Sequence, residues 1–357
     1  MTISLTINDI PDYLKDSELY KNIESDESFE VPIKLFKKKL IINTFDDLID
    51  YIKIFDYWMI NKIPNEIYDW ILENKDKIKI DLLNDLFPED DLIKQIPFII
   101  KSSDLQNMCY ISAENGFLDL LKYTHNKLKL EYSHISNYLN FISRYDKNIC
   151  YISSINGHLD CLKYAHENGC SWDKDTCNNA AYNGHLDCLK YAHENGCPWD
   201  TWTCNNAAYH GHLDCLKYAH ENGCPWDEEI CNNAAYNGHL DCLKYAHENG
   251  CSWDEETCNN AAYNAHLDCL KYAHENGCSW DTWTCNDASR NGHLDCLKYA
   301  HENGCSWNNW TYYYSIVHRH LECLKYAIEN NCPLSKETRE LAETYGHLET
   351  LNYYENQ

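Results

Sequence analysis

Histidine recurs at a fixed interval through the second half of this chain. His158, His185, His212, His239, His266, His293, His320 and His347 are each 27 residues apart. A period of that size means that one supersecondary unit is repeated, so the fold is an array of stacked neighbours rather than one wound core. Six units read Gly-His-Leu-Asp-Cys-Leu-Lys-Tyr-Ala-His-Glu-Asn-Gly-Cys or nearly so, starting at Gly157, Gly184, Gly211, Gly238, Ala265 and Gly292. A looser unit starts at Arg319 and a last one at Gly346. An earlier unit, Gly116-Phe117-Leu118-Asp119-Leu120-Leu121-Lys122-Tyr123, precedes its successor by 41 residues, one period plus a 14-residue insertion near 127–146. The cysteines keep the same register. They fall into three columns, typified by Cys215, Cys224 and Cys204, which together account for all 21. The thiols therefore belong to the repeat.

Each unit divides into two short helices. Cys204, Ala207 and Ala208 are spaced i, i+3, i+4 and mark the buried face of the first. Gly211 suits the left-handed conformation that ends a helix. The second helix is expected from about Leu213 to Glu221, with Leu213, Leu216 and Ala219 inward and Asn222-Gly223 as its stop. Small Ala and Cys side chains let such helices approach closely. No single unit can bury its apolar face alone, so neighbours must stack.

The run from Trp202 to Cys224 resembles the ankyrin repeat. The Ala207-Ala208-x-x-Gly211-His212 core and the Gly223-Cys224 pair fall in the family's places. Cys204 stands where that family has Leu, Cys215-Leu216 where it has Val-Val, and Cys224 where it has Ala. These units are six residues shorter than the family's usual 33, and the loss falls between Asp200 and Trp202, where the family builds its β-hairpin finger. This shortened, Cys- and Trp-bearing form is similar to ankyrin-like proteins expanded in giant DNA viruses of amoebae. The resemblance spans about residues 101–357, some nine units. It implies an all-α, helix-turn-helix solenoid that lacks long fingers and serves protein–protein interaction in the cytoplasm of a host cell.

Residues 1–100 carry no repeat and read as a separate small, mostly helical domain. Phe45, Leu48, Ile52, Phe55 and Met59 follow a helical period. Pro64 is placed to open another helix, with Ile67, Trp70 and Ile71 on one face. Phe29-Glu30-Val31-Pro32-Ile33 alternates like a short edge strand. The pattern faintly resembles the helical half of BTB or Skp1-like domains. That resemblance implies a rival function, a substrate adaptor that recruits a cullin-type ubiquitin-ligase component through residues 1–100. The alternative is a plain capping domain.

The charge balance narrows the partners. With 56 Asp and Glu against 30 Lys and Arg, the net charge is -26. Nucleic acid and anionic membranes both require clustered cations, so neither is an expected partner. A basic protein surface would instead be attracted. The start of the chain shows no basic, apolar leader, and Ile96-Pro97-Phe98-Ile99-Ile100 is too short to span a bilayer, which together point to a reducing, intracellular setting.

Catalysis and cofactors are not expected. His212-x-x-Cys215 and His220 invite a zinc reading, but four ligands must converge within about 2.0–2.3 Å, and His220 lies two helical turns away. Equivalent thiols of adjacent units are about 8–10 Å apart, beyond disulfide reach. There is no phosphate-cradling Gly-rich loop, nucleophile elbow or His-Glu-x-x-His helix. A metal protein or enzyme is the least favoured reading. The Trp172, Trp199, Trp226, Trp253, Trp280 and Trp307 column is expected to cover the connectors.

The binding surface should use positions that vary between otherwise near-identical units. One such column is Tyr182, Tyr209, Tyr236, Tyr263 and Arg290, with His210 exceptional in the next. At the connector tips stand Trp202, Trp283 and Trp310 in some units and Glu228-Glu229 and Glu255-Glu256 in others. Aromatic side chains suit interface anchors, and the acids would steer a basic partner.

Overall fold

The computed structural model describes residue 71 and residues 105–132, 149–333 and 335–344. The helices and strand expected between residues 29 and 70 lie outside these residues, as do most of the insertion near 127–146 and the unit starting at Gly346. The chain divides into two compact units, Met1–Trp172 and Asp173–Gln357. The described residues are helices and turns.

In the first unit, α1 (Leu105–Asn115) and α2 (Leu118–Tyr132) form a helical hairpin. Helix α3 (149–155) and α4 (Leu159–Glu167) follow. In the second unit, first and second helices alternate: α5 (Lys174–Tyr182), α6 (Leu186–Glu194), α7 (Thr201–Tyr209), α8 (Leu213–Glu221), α9 (Glu229–Tyr236), α10 (Leu240–Glu248), α11 (Glu255–Tyr263) and α12 (Leu267–Glu275). Four more complete the repeats, α13 (Thr282–Arg290), α14 (Leu294–Glu302), α15 (Asn309–Val317) and α16 (Leu321–Glu329), before α17 (Lys336–Thr344). The expected helix-turn-helix solenoid is present, and α8 has the predicted bounds.

One unit shows how the sequence builds the element pair. Asp200 is extended and its carboxylate accepts from the Trp202 N–H, capping α7. Gly211 turns left-handed at φ 74° and His212 N–H donates to the Ala207 carbonyl at 2.8 Å, closing the helix. After α8, Gly223 repeats the device at φ 83° and Cys224 N–H donates to Ala219 at 2.9 Å. Cys204, Ala207, Ala208, Cys215, Leu216, Ala219 and Cys224 are all buried. Neighbouring first helices pack together more intimately than neighbouring second helices do, as their Ala-Ala faces allow.

The repeat histidine joins one unit to the next. His212 hydrogen-bonds the Tyr182 carbonyl and seats its ring against Gly184, where a Cβ would lie 2.5 Å from Nδ1. Glycine at that position is thus fixed twice, by its positive φ and by the ring it touches. Two units lack it, those with Ala265 at φ 64° and Arg319 at φ 63°. The turn at Ala265 is the looser one. Gly184 N–H reaches the Ala181 carbonyl at 3.3 Å, whereas no equivalent bond forms from Ala265. The Asn264 amide reaches Asn260 O only at 3.4 Å, against 3.0 Å for Asn183.

Candidate interaction surface

Two faces of the second compact unit have opposite characters. On the second-helix side every aromatic group is already engaged. His193 stacks on Trp199 with ring centres 3.6 Å apart, its Nδ1 lies 3.1 Å from the Tyr218 hydroxyl, and Lys190 sits over the Tyr218 ring at 5.7 Å. The same stack recurs around Trp226, Trp253, Trp280 and Trp307. The Trp column thus lies against the last turn of each second helix. The bond from the stacked histidine to the next unit's tyrosine was not foreseen, although the unvarying Lys-Tyr-Ala-His string was its trace in the sequence.

Between first helices runs a buried polar ladder. Thr203 Oγ1 donates to Asn178 Oδ1 at 2.6 Å, and the Asn178 amide donates to Asp200 at 3.2 Å. Thr257, Thr284 and Thr311 repeat the first bond to Asn232, Asn259 and Asn286. Helix α9 breaks the ladder. Ile230 replaces the threonine, and both Asn205 Oδ1 and Asp227 Oδ1 are buried without a hydrogen-bond partner. Of the six first helices α5 to α15, α9 alone has no side-chain cap, with Glu228 as its N-cap residue.

The solvent-exposed face of the first helices carries the side chains that vary. Trp202 is 60 % exposed, Trp283 48 % and Trp310 47 %, whereas the Trp199 column is only half-open. Tyr182, Tyr209 and Tyr236 are exposed and Tyr263 is half-buried. The Tyr209, Tyr236 and Tyr263 rings stack in file, 6.5 and 6.3 Å apart. His210 leans on Tyr182 at 3.9 Å, and burial, then His212 and His239, hold its pKa below the ordinary imidazole value. Arg290 lies over the Tyr314 ring at 5.6 Å. Glu228, Glu229, Glu255 and Glu256 are exposed at the N-terminal ends of α9 and α11. Beside Arg290, burial raises the Asp287 carboxyl to about 6.

All 21 cysteines are free thiols and buried. Cys197, Cys224, Cys251, Cys278 and Cys305 each donate to the carbonyl of an aspartate 24 residues earlier, at 3.0–3.2 Å. Among the described residues no group of three His, Cys, Asp or Glu side chains is arranged to hold a metal ion, and no helix is long and apolar enough to cross a membrane.

Residues 177–220 and 204–247 match the family profile described as ankyrin repeats in many copies. The matches lie in the middle of the array, over residues 177–247. Solved structures that match include the human ASB11 ankyrin repeat domain, at 20 % identity over 44 % of this chain and 84 % of that one, with a TM-score of 0.40. No curated protein matches. Ankyrin repeats are protein-interaction modules, and the two-faced array is consistent with that use.

Proposed function

We propose that this ankyrin-like chain is a protein-interaction scaffold whose concave, first-helix face is the contact surface. One observation carries the reading. The tryptophans found in only some units, Trp202, Trp283 and Trp310, are the exposed ones, while those of the repeated Trp199 column are stacked within the array. A fold that needed Trp202, Trp283 and Trp310 would have kept them in every unit. Large exposed aromatics supply contact area at low entropic cost, and a net charge of -26 favours a partner with a basic surface.

The test is a comparison of captured partners. Proximity labelling in the native host is run with the full chain, with a Trp202→Ala/Tyr236→Ala/Trp283→Ala variant, and with a control altered on the second helices (Lys217→Ala/Lys244→Ala). The reading requires that specific partners disappear with the first variant and persist with the control. An unchanged partner list for the first variant, with helicity intact, would refute it.

A further inference from the structure

We infer that the first-helix face takes an extended, arginine-rich polypeptide segment, laid along the file of Tyr209, Tyr236 and Tyr263. The inference rests on the scaffold reading and makes it specific. Two observations carry it, the first of them spacing. Successive tyrosine rings lie 6.5 and 6.3 Å apart. In an extended chain, side chains on one face recur every second residue, about 6.6–6.8 Å apart. A strand running along the array therefore keeps alternate side chains in step with successive tyrosines. A helix rises about 5.4 Å per turn and drifts out of step sooner.

Charge and group chemistry come next. Glu228, Glu229, Glu255 and Glu256 are exposed at the N-terminal ends of the two helices whose last residues are Tyr236 and Tyr263, and exposed Trp202 and Trp283 stand at the same ends of the flanking first helices. The lysines of the second helices do not neutralise this face, since Lys190, Lys217, Lys244 and Lys271 lie over Tyr218, Tyr245, Tyr272 and Tyr299. A planar guanidinium both stacks on aromatic rings and forks to carboxylates, which an ammonium does less well. The chain already shows that pairing on this face, where its own Arg290 lies over Tyr314.

The experiment uses the full chain and labelled heptapeptides read by fluorescence anisotropy. The probes are Arg-Ser-Arg-Ser-Arg-Ser-Arg, its Lys and Glu counterparts, and a blocked Arg-Arg-Arg-Arg-Ser-Ser-Ser. The alternating Arg peptide should bind at least about fivefold more tightly than the Lys or blocked peptide, and the Glu peptide should not bind. Tyr236→Ala should weaken binding about tenfold while Tyr236→Phe restores it, since the ring is what stacks. Glu228→Gln/Glu229→Gln/Glu255→Gln/Glu256→Gln should weaken it more at low salt than at high. Asp214→Asn/Asp241→Asn/Asp268→Asn/Asp295→Asn removes the same charge from the second helices and should change binding less than about twofold. Equal binding of the alternating and blocked Arg peptides, or equal losses from the two charge variants, would overturn the inference in favour of diffuse attraction. If no Arg peptide binds while the aromatic face still governs partner capture, the inference fails and the scaffold reading stands.

Discussion

Ala265 is a methyl group where its equivalents, from Gly184 to Gly292, carry only hydrogen, and it shares their positive φ. An L-residue there is strained by roughly 1–2 kcal/mol, offset by about 0.4–1 kcal/mol from the freedom glycine gives the unfolded chain. Ala265→Gly should therefore stabilise the array by up to about 1 kcal/mol, read as a higher urea midpoint. A lower midpoint would mean that the turn has relaxed around the methyl. Asp287 offers a second gain. Four other units have Asn at this position, and burial has raised the Asp287 carboxyl to about 6 from 3.8. A raised folded pKa means that the carboxylate is disfavoured in the native state. Stability from this group is present at low pH and lost as pH rises through about 6. Asp287→Asn should add on the order of 1–2 kcal/mol at pH 7.5 and nothing near pH 3.5, in paired melts at the two pH values. A gain that is equal at both would point to packing rather than charge.

Between elements, the polar ladder decides how tightly one first helix holds the next. Thr203→Val keeps the shape but leaves Asn178 Oδ1 buried and bare, so a loss of about 1–3 kcal/mol is expected in denaturant unfolding. No loss would mean that the ladder contributes register rather than stability. The sequence made the helices legible at this scale because two signals coincide in every unit, the i, i+3, i+4 run of Cys and Ala and the left-handed stop. Cys204, Ala207, Ala208 and Gly211 behave as their spacing implied. The ladder was less legible, since its Thr and Asn lie 25 residues apart and pair only once the units stack. The variable columns could be read directly, and Trp202, Trp283, Trp310 and Tyr209 are exposed. Tyr263 is more buried than its column suggested. The bare acceptors Asn205 and Asp227 were hidden, because only the stacked neighbour shows that Ile230 has removed their donor.

Across the whole molecule the thiols are buried, and those of the Cys215 column behave as packing atoms. Burial first, and the neighbouring aspartate second, push Cys215, Cys242, Cys269 and Cys296 up to about 12, so few are thiolate at pH 8. A thiol reagent at pH 8 should react slowly with the native chain and count all 21 thiols in denaturant without reductant. A lower count would reveal disulfides, and rapid native reaction would mean that the units open readily. Repetition also has a mechanical consequence. Each interface from α5 to α16 rests on nearly the same histidine seat, ring stack and ladder bond, so a chain pulled from its two ends has no single strongest clasp. Under an optical trap it should pay out in near-equal steps at near-equal force, each about 90–95 Å for 27 residues. The loosened turn at Ala265 and the missing rung at Ile230 should be the first to let go.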